Sequence, residues 1–474
     1  MRYGRLPDRD RAGSWVYRSI PHDARNQAID RNDADKLAAC KWLQDGVLLT
    51  LYNRDMTLRL FSSFLMAALV LGSMGMTFAQ QATVADSASP AIHALHEDVR
   101  IPFVLENRTI FLQVQAGGSR PYWFVLDTGT KYAVIDLAVA KAIGLKLGAP
   151  VNIAGGGKNV VMGNMLSDSP FSLVGLKDFS QPLFLTLPLD DLAKAEGHEL
   201  AGILGMPVLA SEFVVEIDYL SKAITLHDKM TYQYHGTGQS FPVIFNAAGW
   251  PEIQAAVIDG DRPAMEGKFV LDIGNGAAPL ILNRPFVESE HFLSSNRHTV
   301  PWLEGQGAGI GGDVDASVGR VSRLQIGRFS IKNPVTVFSS AANGTFAATE
   351  SQGNVGAMIL EKFKVILDYK NNRVILEPNA RLDEPTDYNR SGLILESAGE
   401  NYQTFKIKAV ADDSPASEAG LRVGDTLISI DGQPVNELSL SELRFKLQRV
   451  KACEMLVERD GARLKVPLKL RDLI

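Results

Sequence analysis

The sequence predicts a mainly β protein, built as two homologous β-rich lobes followed by a small α+β module. Three observations predict it. An apolar run ending in an aspartate, Phe124-Val125-Leu126-Asp127-Thr128-Gly129-Thr130, recurs as Phe269-Val270-Leu271-Asp272-Ile273-Gly274-Asn275. Around both runs the same landmarks follow in the same order, from residue 100 to 378. Beyond Pro378 a charged, proline-containing segment leads into a run with its own helix, turn and hairpin signals.

At 474 residues the chain exceeds one ordinary core, so two or three domains are expected. It is 46% hydrophobic and 22% charged, as soluble globular proteins are. A formal net charge of -6 and the absence of a Lys- or Arg-rich run give no electrostatic basis for binding nucleic acid. Only Cys40 and Cys453 occur, at opposite ends, so neither a structural disulfide nor a zinc spacing is expected, and Cys453 reads as a small apolar side chain.

Residues 1–79 read as a leader and signal peptide. Met56-Thr57-Leu58-Arg59 gives a short basic start, an apolar stretch runs through Leu71, and Thr77-Phe78-Ala79 supplies a small-x-small ending. That predicts translation from Met56, cleavage after Ala79, and a secreted or periplasmic protein with no stable membrane span once mature. Residues 1–55 are then a misassigned start or a disordered leader. The other reading of the apolar stretch is a buried or anchoring helix. Residues 80–99 read as a linker, in which His93 and His96 have ligand spacing but no preorganised site.

Residues 100–235 and 236–378 carry the two copies. Ile101-Pro102-Phe103, the alternation Ile110 to Val114 and a Gly117-Gly118 turn lead to the Asp127 strand. Phe241-Pro242-Val243, Ile253 to Val257 and Asp259-Gly260 lead to the Asp272 strand. Such alternation split by glycine turns indicates antiparallel hairpins. A short helix is expected after each, over 137–144 behind Asp136 and over 285–292 behind Asn283. Glycine turns follow at Gly202-Ile203-Leu204-Gly205 and Asn354-Val355-Gly356, where small residues allow one backbone to pass close to another. The copies close on Phe213 to Tyr219 and Phe363 to Tyr369. Asp127 and Asp218 are 91 positions apart, and Asp272 and Asp368 are 96, a match that signals duplication.

A carboxylate on a buried strand is costly unless its charge is shared, so two such strands suggest two aspartates that meet. An apolar strand into Asp-Thr-Gly, a glycine-bearing hairpin downstream and an apolar-apolar-Gly turn resemble the retropepsin and pepsin class of aspartic peptidases. The resemblance spans residues 100–474 and is nearest to bacterial retropepsin-like peptidases that carry a PDZ domain. It implies two retropepsin-like β-barrel lobes, with Asp127 and Asp272 catalytic and Thr128, Gly129 and Gly274 supporting them. One carboxylate activates a water while the other, protonated, donates to the scissile carbonyl. That chemistry needs no metal, cofactor or covalent intermediate. In the family the two motif threonines bond across the lobe interface. Thr128 can do so, Ile273 has no hydroxyl, and Asn275 replaces a small residue. The resemblance further implies hairpin flaps, for which Ala154 to Lys158, around Gly156, and Gly305 to Gly312, around Gly309, are candidates. Gly307, Gly309 and Gly312 also match the letters of a dinucleotide fingerprint, but without a strand before and a helix after them.

After the linker Arg381-Leu382-Asp383-Glu384-Pro385, residues 386–474 form the module. Ser414 to Gly432 reads as a capped helix ended by Gly420, a Gly424-Asp425 turn, a strand and an Asp431-Gly432 hairpin, followed by a helix over 440–449 with Leu440, Leu443 and Leu447 on one face. The run resembles the bacterial PDZ signature. That implies binding of peptide or protein C-termini as an added strand, with the carboxylate loop at Tyr388 to Leu393 and contacts at Gly392, Leu393 and Ile394. The other reading is a module that packs on the lobes and steadies them. For the whole chain three functions stay open: a single-chain aspartic endopeptidase, a homodimer pairing Asp127 from each copy, and a non-catalytic peptide-binding protein with a degenerate cleft.

Overall fold

The computed structural model describes Leu95 and residues 97–294, 297–306 and 309–474. The expectations for the leader and signal peptide, Cys40, His93, His96 and Gly307 fall outside the described residues.

Among the described residues the chain is mainly β, with two ten-stranded and two six-stranded sheets. In the first ten-stranded sheet the central order is Ala133–Asp136, Gly202–Gly205, Tyr122–Asp127, Thr109–Ala116. In the second it is Leu280–Leu282, Gly353–Gly356, Met265–Asp272, Pro251–Ile258. Each aspartate therefore ends a strand flanked on both sides, which buries Phe124, Leu126, Phe269 and Leu271 completely or nearly so. Burying each such side chain contributes about 1.5–3 kcal/mol, so these strand ends are among the most firmly held points of the sheets.

The expected glycine turns are strands instead. Gly202–Gly205 runs parallel to Tyr122–Asp127 with Gly205 opposite Asp127, and Gly353–Gly356 runs parallel to Met265–Asp272 with Gly356 opposite Asp272. The glycines serve close approach, as their size suggests: a Cβ on Gly202 would overlap the Phe124 ring and the Val134 carbonyl, and one on Gly353 the Ile281 carbonyl.

The closing strands Phe213–Asp218 and Phe363–Asp368 pair antiparallel at the centre of a six-stranded sheet, edged by Val99–Pro102 and Gln239–Pro242. This sheet ties the two halves together and brings both aspartate strands towards one interface. The short helix Leu137–Ala142 starts behind Asp136, whose carboxylate accepts from the Ala138 and Val139 amides. The second helix is Arg284–Ser289, shorter than the expected 285–292 at its C-terminal end. Asn283 stands at its N-cap position but donates to the Ser351 carbonyl at 2.9 Å rather than capping. The segment expected as a linker is anchored: Lys362 Nζ donates to the carbonyls of Arg381 (3.1 Å) and Glu384 (2.5 Å).

The C-terminal module has its own core, including Phe405, Leu427, Leu443 and Met455. Reciprocal caps open both of its helices, Ser414 with Ser417 for Pro415–Glu418 and Ser439 with Glu442 for Leu440–Arg449. Leu440, Leu443 and Leu447 are buried, and Asp431-Gly432, with φ of 51° and 80°, turns Thr426–Ile430 into Gln433–Pro434. Among the described residues Leu393–Ala398 forms one edge of this sheet and pairs only with Thr404–Val410. Cys453 is a buried free thiol. Among the described residues no helix is long and apolar enough to cross a membrane.

Candidate active site

Asp127 and Asp272 meet. Their carboxyl groups lie within hydrogen-bond reach of each other, and a Cβ built on Gly129 would stand 3.2 Å from Asp127 Oδ1 and 3.3 Å from Asp272 Oδ2. A Cβ on Gly274 would lie 2.5 Å from Asp127 Oδ1. Both motif glycines thus face the opposite carboxyl: an alanine at Gly129 would press on both acids, and one at Gly274 would overlap Asp127.

Each carboxylate is oriented by its own turn. Gly129 N–H donates to Asp127 Oδ1 at 2.7 Å, and Thr130 Oγ1 donates to Asp127 Oδ2 at 2.6 Å. Gly274 and Asn275 N–H groups donate to Asp272 Oδ1 at 3.0 and 3.1 Å, and Asn354 Nδ2 donates to Asp272 Oδ2 at 2.6 Å. Sequence reading did not single out Thr130 and Asn354 as site residues. Thr130 lies three positions past Asp127, where a hydroxyl signal was available. Asn354 reaches Asp272 across 82 positions, so no local pattern points to it. Asn275 in turn donates from Nδ2 to Asn354 Oδ1 at 3.1 Å, holding that amide so that its nitrogen faces Asp272. The replacement of a small residue by Asn275 therefore has a structural consequence.

Thr128 is fully buried and works across the interface. Its hydroxyl donates to the Leu271 carbonyl at 2.5 Å and accepts from the Ile273 N–H at 3.0 Å. Ile273 returns no such bond; its side chain is 1% exposed and packs in the main core.

Burial raises both acids above the ordinary carboxylate range, because neither charge has bulk water to solvate it. For Asp272 the charge of Asp127 adds to burial and pushes it up to about 7, against the opposing bond from Asn354. Two acids so placed titrate as a pair that keeps one proton after the first is lost. The arrangement offers one carboxylate as a base and one carboxyl as a hydrogen-bond donor.

The two glycine loops touch at their tips. Gly157 N–H donates to the Ile310 carbonyl at 2.9 Å and Asn159 N–H to the Gly311 carbonyl at 3.0 Å. Gly156 faces the Phe346 ring, and a Cβ on Gly309 would lie 3.6 Å from Gly156 Cα. Around Gly309 the chain makes a tight turn with Gly312, as an extended hairpin tip rather than a helix start.

Leu393 and Ile394 start the edge strand of the C-terminal module, Gly392 precedes it, and all three are buried. The Gly392 N–H donates to Asn389 Oδ1 and the Leu393 N–H to Ser391 Oγ.

Comparison with known families bears on both regions. Residues 112–208 match the family described as aspartyl protease, a stretch that holds Asp127, Thr128 and Gly129 and ends before Asp272. Residues 406–459 match the PDZ domain, a stretch that begins after Gly392, Leu393 and Ile394. No curated protein matches the chain. The chain thus contains an aspartyl protease domain and, near its C-terminus, a PDZ domain.

Proposed function

We propose that this chain is an aspartic endopeptidase, secreted or periplasmic, whose two lobes arose by internal duplication and whose PDZ domain binds peptide or protein termini. The observation that carries the reading is the meeting of Asp127 and Asp272, with each carboxylate tethered by turn amides and one polar side chain. The matching strand order of the two ten-stranded sheets supports the duplication, and the apolar stretch from Met56 to Ala79 supports export.

In this mechanism the pair holds one proton, with Asp272 the more reluctant to release it. Asp127 takes a proton from a water between the acids as that water attacks the peptide carbonyl, and Asp272 donates to the carbonyl oxygen. Collapse of the tetrahedral adduct returns a proton to the leaving nitrogen. The touching glycine loops around Gly156 and Gly309 serve as flaps over bound substrate.

Pairing of Asp127 with Asp272 within one chain supports a single-chain site over a homodimer that would use Asp127 twice. Ile273 favours the second reading, a non-catalytic peptide binder, because the hydroxyl it lacks would otherwise orient the acids from the second side. Cleavage of an unfolded protein by the purified chain, Asp127→Asn and Asp272→Asn, followed from acidic to neutral pH, separates the three. Loss in both variants supports the single-chain site, retention in Asp272→Asn alone the homodimer, and an inert wild type that still binds peptide the binding protein.

A further inference from the structure

A peptide captured by strand addition needs the free carbonyls and amides of an edge strand, and near the start of Leu393–Ala398 two carbonyls and one amide are already taken. The two carbonyls that face away from the neighbouring strand near its start accept from side chains of the same chain: Leu393 from Asn389 Nδ2 at 2.6 Å, and Leu395 from Arg444 Nη2 at 2.9 Å. Arg444 lies on the helix Leu440–Arg449, so its side chain crosses the groove between helix and strand. In the loop before the strand, Asn389 Oδ1 accepts from the Ser391 and Gly392 amides at 3.0 and 3.2 Å. An amide oxygen there thus takes two backbone donors of the loop that the PDZ resemblance assigns to a peptide's terminal carboxylate.

The far end of the groove is closed by the first lobe. Its helix Asp190–Glu196 packs beside the edge strand, where Ser397 Oγ donates to the Lys194 carbonyl at 2.8 Å. Gly197 lies so near Leu440 that a Cβ there would be 2.6 Å from the leucine Cβ. The Asn107 N–H also donates to Ser441 Oγ at 3.2 Å. Glu196 is buried close to the positive charge of Arg444, and burial pushes its carboxyl up to about 7. From Gly197 only four residues lead to Gly202–Gly205, the strand paired with Tyr122–Asp127.

We infer that the groove between Leu393–Ala398 and Leu440–Arg449 is latched in cis, with Asn389 and Arg444 standing in for an incoming strand, and that an extended peptide with a free C-terminal carboxylate opens it. The inference rests on the reading of the PDZ domain as a peptide binder and adds what that reading lacks, a competitor and a route to the dyad. Peptide binding and docking of Asp190–Glu196 exclude each other. Opening the latch releases the segment that leads into the strand beside Asp127. Because the binding-competent state is a minor one, affinity in the intact chain is lowered by the fraction open. The bond from the charged Arg444 donor alone sets its share of that penalty at roughly 10- to 100-fold.

The test uses the full chain carrying Asp127→Asn, so that probes survive, and fluorescein-labelled ten-residue peptides with Val, Leu, Ala or Phe as the free C-terminal residue, each with its amidated counterpart. Anisotropy should show at least one carboxylate peptide binding 10-fold or more tightly to Arg444→Ala than to the parent, with the amidated form not bound. Saturating peptide on the parent should accelerate amide exchange over residues 190–201. That second measurement needs no change at Arg444, so it decides the matter if Arg444→Ala unfolds. Equal affinity in parent and variant, with exchange at 190–201 unchanged, overturns the latch and leaves the peptide-binding reading intact. No binding to either protein overturns both.

Discussion

Thr128 and Ile273 are joined in one direction only: the threonine hydroxyl accepts from the Ile273 N–H at 3.0 Å and donates to Leu271, while Ile273 has nothing to return. One buried hydroxyl thus carries the polar link between the two aspartate turns. Thr128→Val keeps the shape and deletes both bonds, leaving a buried carbonyl and a buried amide unpaired at about 1–3 kcal/mol each. Denaturant unfolding should show a loss of about 2–6 kcal/mol. Peptidase kcat should fall roughly 10- to 100-fold with KM little changed, because orientation rather than binding is lost.

Ile273→Thr tests the same link from the other side. A hydroxyl there can reach into the first turn as Thr128 reaches into the second, at the expense of apolar packing for a side chain 1% exposed. Stability should drop by about 1 kcal/mol while kcat rises. An unchanged or lower kcat in a folded Ile273→Thr protein would mean that the single Thr128 link already orients both acids.

How far this site was legible follows from where its parts lie in the chain. Asp127 and Asp272 each end an apolar run, a pattern complete within seven residues, and Leu440, Leu443 and Leu447 mark a helix face by spacing alone. Gly202-Ile203-Leu204-Gly205 and Asn354-Val355-Gly356 read as turns because glycine usually marks them. Only the neighbouring strands, which leave no room for a Cβ, make them strands. Asn354 reads from the sequence only as part of a turn, since its role at the site exists only once the strand carrying it lies beside Asp272. The contact of Ser397 with Lys194 spans 203 positions and depends on the docking of whole domains.

Asn354→Ala removes a donor that pulls the Asp272 carboxyl down, so Asp272 should hold its proton to higher pH. The alkaline limb of the kcat/KM profile should move upward relative to the wild type, at reduced maximal rate. A lowered rate with an unmoved limb would assign Asn354 to packing alone.

The raised Asp272 value also makes stability depend on pH. Between its ordinary value of 3.8 and about 7, the folded chain keeps a proton that the unfolded chain has released. The stabilisation is complete below the lower value and is lost as pH rises through the higher one, with Asp127 acting in the same direction. The shift corresponds to about 4 kcal/mol. Tm should therefore fall between about pH 4 and pH 7, and Asp272→Asn should flatten that fall in thermal unfolding. Peptidase activity should decline above about pH 7 as the shared proton leaves.

Two glycines separate fold from gating by the same added methyl group. In Gly202→Ala the new Cβ meets the Phe124 ring and the Val134 carbonyl, inside the sheet that holds Asp127. Neither can retreat without moving a core strand, so stability should fall by about 1–3 kcal/mol, in the range of overpacked cores. In Gly157→Ala the clash is with the backbone of Gly311 and Gly312 in the opposing loop. Those loops meet through backbone bonds, Gly157 N–H to Ile310 among them, and their parting should leave both ten-stranded sheets intact. Unfolding of Gly157→Ala should match the wild type, while KM for a peptide substrate rises several-fold, because parted loops cover the substrate less. If Gly157→Ala lost stability as Gly202→Ala does, the loop contact would belong to the fold and not to the covering of the cleft.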